Sequence, residues 1–227
     1  MAITDNGKLF ESTSTSDPRT HTLSTSVPAG ALIVLYLGGT RSGSNLDLVG
    51  VTDSKGNVWQ KKTRPSTISF CGIAWTRTGS PMVSGDTITV NWNGTPSKAW
   101  VSAHAFLGAS STSTDTGTGS ATSSTASETL TVDGSDWLTV ASVNAPYEYG
   151  VTMTPINSSI SQDDNGAATA APWCEAFSRN GTTGTTHAIG GTFVVSLPWA
   201  IAAVSFPAEA ISPPAGVGRV RGGVIGV

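Results

Sequence analysis

The chain has 227 residues, of which 38% are hydrophobic and only 12% are charged, and its formal net charge is −3. With 12 basic residues against 15 acidic ones, it lacks the clustered positive charge that nucleic-acid binding requires, so we expect no nucleic-acid partner. The longest unbroken apolar run covers residues 31–37, far short of the roughly 20 residues that cross a bilayer, so we expect no membrane insertion.

The first residues, Met1 to Glu11, contain three charged side chains and no apolar segment, so we expect synthesis in a cytoplasm without a secretory signal. The two cysteines, Cys71 and Cys174, are too few and too far apart for a disulfide scaffold. The sequence therefore predicts two reduced thiols in apolar strands, where a thiol behaves as a small hydrophobic group.

Short apolar or alternating runs, interrupted by Gly, Pro or Asn about every 8 to 12 positions, predict strands along the whole chain. The alternation is strictest in Thr87–Trp92, where Ile88, Val90 and Trp92 share one face and Asn93-Gly94 follows as a tight turn. In chain order, we predict strands at residues 22–27, 31–37, 46–53, 58–62, 68–76, 87–92, 99–106, 128–132, 137–143, 173–178, 192–195 and 200–206.

The two halves of the chain resemble each other in sequence. Trp75 is followed by Thr-Arg-Thr-Gly in the first half, and Phe177 is followed by Ser-Arg-Asn-Gly in the second. When these aromatic residues are aligned, Cys71 and Cys174 are one position out of register. A slip of one residue reverses the face of a strand side chain, so either a bulge intervenes or the cysteine match is due to chance.

Two similar halves of four to five strands, laid face to face, are typical of a jelly roll. We therefore predict an all-β jelly-roll β-sandwich over residues 21–211, with an N-terminal arm at residues 1–20 and an extended tail at residues 212–227. The Ser- and Thr-rich segment 110–127 is predicted to be a polar loop with an edge strand between the halves.

The tail mixes glycine with β-branched residues, a composition suited to pairing with the edge of a neighbouring subunit. A frayed terminus is the alternative. The predicted subunit contacts are Val217, Val220, Val224 and Ile225.

No local pattern predicts catalysis or metal binding. The histidines, His21, His104 and His187, lie far apart, and the sequence contains neither a Gly-x-Ser-x-Gly elbow nor a metal-ligand spacing. His104 shares a strand face with Trp100 and Phe106, which favours a core or subunit-interface position. We predict no catalytic residue, no metal and no cofactor; a pair of acids for glycoside cleavage would have to be assembled by folding.

The seven tryptophans are the feature that a ligand could use, because an exposed Trp can stack on a sugar while Asn binds its hydroxyls. The predicted ligand-binding residues are Asn57 and Trp59, together with Tyr147 and Tyr149 in a loop after a strand. The alternative is that the aromatic residues are buried, which is the commoner outcome.

The segment Val-Thr-Asp-Ser-Lys-Gly-Asn-Val-Trp at residues 51–59 follows an apolar strand that begins after Pro-Ala-Gly at residues 28–30. A Trp-x-Arg-x-Gly motif starts at Trp75, and Gly85-Asp86 precedes the alternating strand. This order of motifs resembles jelly-roll structural proteins of tailed bacteriophages, especially minor tail and capsid decoration proteins of phages of actinobacteria. The resemblance covers about residues 23–210, and its motifs mark strand-turn-strand geometry rather than a reaction.

The resemblance implies a non-enzymatic virion component, assembled in the host cytoplasm and displayed on the particle exterior. Its expected partners are other virion proteins and further copies of itself, with a trimer favoured. Exposed aromatic loops favour a tail position slightly over a capsid position, because such loops suit contact with a host surface. The alternative function is a carbohydrate-binding module or receptor-binding domain that recognises host surface glycans, and a glycan hydrolase on the same fold is the third interpretation.

Overall fold

The computed structural model describes residues 2–66, 70–132, 136–145, 153–157, 159–164 and 173–210, and these residues contain strands and no helix. The prediction of an all-β, sandwich-like fold is confirmed. The first eight strands are β1 (Thr4–Ser14), β2 (Arg19–Thr22), β3 (Leu32–Thr40), β4 (Leu48–Asp53), β5 (Gln60–Arg64), β6 (Phe70–Arg77), β7 (Thr87–Trp92) and β8 (Lys98–Leu107). The next six are β9 (Asp115–Thr131), β10 (Trp137–Ala145), β11 (Met153–Pro155), β12 (Ile160–Asp164), β13 (Trp173–Gly181) and β14 (Thr186–Pro207).

The first half of the chain, from β1 to β8, forms two antiparallel sheets. The five-stranded sheet has the order β1-β8-β3-β6-β5, and the three-stranded sheet has the order β2-β7-β4. The pairing is nested, because the first strand pairs with the eighth, the second with the seventh and the third with the sixth. Apolar side chains from both sheets form one core, which includes Leu9, Leu35, Phe70, Ile88 and Val90.

The pairing of β1 corrects the predicted N-terminal arm at residues 1–20. β1 pairs with β8 from Thr4 to Ser14, and the Leu9 side chain on it is fully buried. Two register shifts interrupt β1, one between Asp5 and Gly7 and one between Lys8 and Phe10. Bulges of this kind break the period-two alternation by which a strand is recognised in a sequence, and an edge strand needs few apolar residues.

The second half forms a sheet with the order β11-β14-β10-β13-β12, and β9 pairs with β14. β9 and β14 are long, and a register shift between Thr192 and Leu197 divides their ladder into two parts. Residues 115–123 pair with residues 197–205, and residues 125–131 pair with residues 186–192. A bulge bends a strand, so the two parts of each long strand lie on opposite sides of a second core. This core includes Leu130, Phe177 and Ile189.

The two halves have the same strand order. Residues 115–123 of β9 correspond to β1, and residues 197–205 of β14 correspond to β8. Residues 125–131 of β9 correspond to β2, and residues 186–192 of β14 correspond to β7. β10, β11, β12 and β13 then correspond to β3, β4, β5 and β6. The repeat seen in the sequence is therefore present in the fold, and two pairs of strands in the first half are fused into single long strands in the second.

The strand register decides how the two repeats align. Leu32 pairs with Phe106 and Leu138 pairs with Phe206, so these pairs are equivalent. With that alignment, Cys71 opposite Gly38 matches Cys174 opposite Asn144. The cysteine match is the correct one, and the aromatic alignment is one residue out. The reason is that Trp75 lies in the core between the halves, whereas Phe177 points into the core of the second half.

The two halves pack through the five-stranded sheet and the second-half sheet. Large side chains of the first half lie against small side chains of the second in one buried cluster, which includes Tyr36, Trp75, Trp100, Ala176, Ala200 and Ala202. Two buried polar side chains add hydrogen bonds across it, because Ser142 Oγ donates to the Leu37 carbonyl at 3.0 Å and Asn144 Nδ2 donates to the Gly39 carbonyl at 3.0 Å. The five-stranded sheet is therefore covered on both faces, which explains the continuous apolar run in β3.

Candidate ligand-binding site

The turn between β4 and β5 contains the motif that carries the family resemblance. The Asp53 carboxylate accepts hydrogen bonds from the backbone N–H of Lys55 at 2.8 Å and of Asn57 at 3.2 Å. It also accepts the side-chain amide of Asn57 at 3.2 Å and the indole N–H of Trp59 at 2.7 Å. Gly56 has a φ of 72°, which glycine adopts without strain. The residue types of the motif follow from these requirements of the turn.

A second carboxylate ties this turn to the loop between β6 and β7. Asp86 accepts the Val83 N–H at 2.8 Å and the Ser54 hydroxyl at 2.9 Å, and it forms an ion pair with Lys55 at 3.1 Å. The hydrogen bond from Val83, assisted by Ser54 and Lys55, holds the pKa of Asp86 below its usual range. The Gly85-Asp86 motif therefore has a structural task in this fold.

Asn57 and Trp59, predicted as ligand-binding residues, lie in the turn with their polar groups already bonded. Asn57 Oδ1 accepts the Gly79 N–H at 3.0 Å, and its amide donates to Asp53. The Trp59 ring is half-buried against the core of the first half. A sugar would therefore meet only the exposed part of the Trp59 ring, and the ligand-binding role of both residues stays a prediction.

The other predicted contacts fall outside the residues that the structure describes. They are Tyr147 and Tyr149, predicted to bind a ligand, and the predicted subunit contacts Val217, Val220, Val224 and Ile225. Their roles stay predictions.

A groove of about 320 Å³ lies where β5 of the first half meets β9 and β14 of the second. One charged side chain, three hydroxyl side chains and three apolar residues line it, namely Arg64, Ser66, Ser120, Ala121, Thr122, Pro198 and Trp199. Arg64 donates a hydrogen bond across the groove to Ser120 Oγ. Trp199 is almost fully buried and donates its indole N–H to Ser123 Oγ at 2.9 Å, so it forms a fixed wall.

The three cations of β5 differ in what they contact. Lys61 donates to the backbone carbonyls of Leu48 and Val49 at the neighbouring edge. Lys62 lies near Asp115 and Glu128. The backbone hydrogen bond from Thr131, with a smaller contribution from the Lys62 charge, lowers the pKa of Asp115, whereas burial and the Asp115 charge raise the pKa of Glu128 against the opposing effect of Lys62. Arg64 forms no ion pair with any carboxylate in the described part of the chain. Its guanidinium is therefore the cation of β5 that an external anion could neutralise.

Sequence reasoning missed this groove. Arg64 and Ser120 are 56 positions apart, and no motif links them. The only sequence signal was the run of polar and cationic residues in β5, Gln-Lys-Lys-Thr-Arg, at the end of a predicted strand. A groove between two repeats depends on how their sheets pack, so local patterns do not contain it.

His104 and the two cysteines lie in buried positions, as the sequence predicts. His104 is buried, with its ring 5.9 Å from that of Tyr36, in the core position expected for it. Cys71 and Cys174 are both buried and free, and burial raises the pKa of the Cys71 thiol. The described residues include no group of three side chains suited to hold a metal ion.

Acidification is expected to destabilise the fold through His21. Its ring stacks on Phe10 with centroids 4.5 Å apart, and burial, assisted by the Arg19 charge, lowers its pKa to about 4. The unfolded chain binds this proton near pH 6.5, so the stabilisation is complete above pH 6.5 and is lost as the pH falls towards 4. The loss from this residue should be about 3 kcal/mol in the free energy of unfolding.

Urea unfolding at a series of pH values checks this prediction. His21→Phe keeps a ring against Phe10 and should flatten the slope between pH 6.5 and 4. His187, whose pKa is lowered by burial in the same direction, supplies the comparison variant His187→Gln, with a smaller expected effect. An unchanged slope in His21→Phe would contradict the assignment.

Comparison with protein-family models, curated proteins and solved structures finds no match to this chain. Among the described residues there is no helix that is long and apolar enough to cross a membrane.

Proposed function

We propose that this protein is a non-enzymatic structural component of a tailed-bacteriophage virion. It would be assembled in the host cytoplasm and displayed on the particle exterior, as a minor tail or capsid decoration protein. The nested pairing of eight strands in the first half, repeated in the second, supports a tandem of two jelly rolls. Two sandwiches joined through a buried interface make a stiff unit, which suits a mechanical role.

The observation that carries this proposal is the hydrogen bonding within residues 51–59, the motif on which the resemblance to virion proteins rests. The polar groups of Asp53, Asn57 and Trp59 bond to one another or to the adjoining loop. A motif that acts on a substrate keeps such groups available for it. In this protein the polar groups of the motif stabilise the turn between β4 and β5. The resemblance to virion structural proteins is therefore a resemblance in architecture, which supports a structural role.

Assembly is expected to produce a closed homo-oligomer, with a trimer favoured. Light scattering on the purified 23.1 kDa chain at about 10 µM should then give three times the chain mass. A chain that ends at Ala215 lacks the predicted contacts Val217, Val220, Val224 and Ile225 and should be monomeric. Equal masses for the full chain and the shortened chain would contradict a role for residues 216–227 in assembly.

Mass spectrometry of particles released by the host that carries the gene tests the virion location itself. The chain should copurify with particles through a density gradient and should resist removal by a salt wash. Recovery only in the soluble fraction would contradict the proposal.

A carbohydrate-binding module is the second candidate function, and the groove lined by Arg64, Ser120 and Pro198 favours it. A monomer that binds a glycan and is missing from particles would favour this candidate over the first.

A further inference from the structure

We propose that the groove between the two halves binds an acidic sugar, with Arg64 recognising its carboxylate. The hydroxyls of Ser66, Ser120 and Thr122 would accept and donate hydrogen bonds to the sugar hydroxyls. This assignment rests on the second candidate function, a carbohydrate-binding module, and names its ligand class; it does not depend on whether the chain belongs to a virion.

The position of Arg64 carries the charge part of the argument. A guanidinium has five N–H donors in a planar fork that matches a carboxylate. Arg64 donates to the neutral Ser120 hydroxyl, and it forms no ion pair with a carboxylate of the described residues. The residue is also half-buried at the groove wall, where a charge-assisted hydrogen bond is stronger than in open water.

The other two cations of β5 have contacts elsewhere, so Arg64 is the cation that would bind the carboxylate of the sugar. Lys62 lies near the two acids of β9, Asp115 and Glu128, and its charge partly opposes theirs, while burial and the Asp115 charge raise the pKa of Glu128. The ammonium of Lys61 donates to the backbone carbonyl of Val49 in β4. An anion that enters the groove therefore meets one guanidinium, and Lys62 partly offsets the charge of the nearby carboxylates.

The rest of the lining favours a sugar over other anions. Ser120 and Thr122 lie on an exposed part of β9, and Ser66 adds a third hydroxyl to the lining of the groove. Pro198, together with the small exposed part of Trp199, provides apolar surface for the C–H face of a pyranose ring. The volume of about 320 Å³ is at the lower end of the range for small-molecule sites, which matches one or two sugar rings.

Titration of the isotopically labelled full chain with digalacturonate tests the assignment. Saturable shifts of the backbone amide signals are expected at Ser120, Ala121 and Thr122, and binding should weaken as salt is raised. Galactobiose, which has the same rings without carboxylates, should bind at least about tenfold more weakly.

Substitutions at Arg64 and at a distant cation separate the site from a general charge effect. Arg64→Gln should weaken digalacturonate binding at least about tenfold, and Arg64→Lys should give an intermediate loss because an ammonium cannot bind a carboxylate with two parallel bonds. Lys8→Gln, which removes one exposed positive charge from β1, should bind as the unchanged chain does. Each variant is first shown to unfold at the same urea concentration as the unchanged chain.

Several outcomes would overturn the proposal. One is the absence of saturable shifts up to about 20 mM digalacturonate, because a dissociation constant above that concentration is too weak for a functional site. Another is equal binding by Arg64→Gln and the unchanged chain. Equal affinity for a hexaglutamate peptide would replace the sugar by a peptide partner. None of these results bears on the particle and mass measurements, so failure here is distinguishable from failure of the virion proposal.

Discussion

Gly38→Ala is expected to lower the free energy of unfolding by about 2–3 kcal/mol, because overpacking at a tight interface forces neighbouring groups apart. A Cβ atom added at Gly38 would overlap Cys174 Sγ and would lie 3.2 Å from Cys174 Cβ. Gly38 is on β3 of the first half and Cys174 is on β13 of the second, so the clash would act directly on the packing between the halves. Urea unfolding followed by tryptophan fluorescence measures the loss.

A double-mutant cycle shows whether the clash is with Cys174. Cys174→Ala removes the overlapping sulfur, so the pair Gly38→Ala and Cys174→Ala should regain at least about 1 kcal/mol relative to Gly38→Ala alone. Cys71→Ala is the matched control, because it removes the same atom from the equivalent position of the other repeat. Equal recovery from both cysteine variants would show that the halves do not meet at Gly38 as described.

Asp53→Ala is expected to destabilise the protein by about 2–3 kcal/mol, since it leaves four donors of the β4–β5 turn without their acceptor. The largest local effect should be at Trp59, whose indole N–H bonds to Asp53 at 2.7 Å. The Trp59 indole signal in a nitrogen–proton correlation spectrum should move, and its hydrogen exchange should become faster. Chemical denaturation measures the global loss.

Val58→Ala is the matched control for the turn. Val58 lies between Asn57 and Trp59 and is 85% exposed, so its truncation should change the free energy of unfolding by less than about 0.5 kcal/mol. A loss for Val58→Ala comparable to that for Asp53→Ala would mean that the turn is sensitive to any change. No loss for Asp53→Ala would remove the structural explanation of the motif.

Some elements of this fold could be predicted because their physical cause is local. In β7 the apolar residues Ile88, Val90 and Trp92 are buried and the residues between them are partly exposed, as the alternation predicts. Burial of both faces makes β3 and β8 nearly continuous in apolar residues, which makes them equally visible. The edge strand β1 was not visible in this way, because two bulges disrupt its pattern.

The candidate site was less predictable than the fold. Trp59 was singled out because Trp and Asn suit a sugar, but a sequence does not show that Asp53 already accepts the hydrogen bonds of both residues. The groove was missed for the opposite reason, since Arg64 and Ser120 become neighbours only when the halves pack. Residue type predicts what a side chain is able to bind, and the packed structure decides what remains within its reach.

The sequence by itself determined the all-β class, the presence of two similar halves and the burial of His104 and both cysteines. These features follow from hydrophobic periodicity and from turn residues, which act over a few positions. The tertiary structure alone decided the alignment of the two repeats, the tie between Asp86 and Lys55, and the groove at Arg64. Each of these depends on strand register or on sheet packing, and both are set by contacts between residues far apart in the chain.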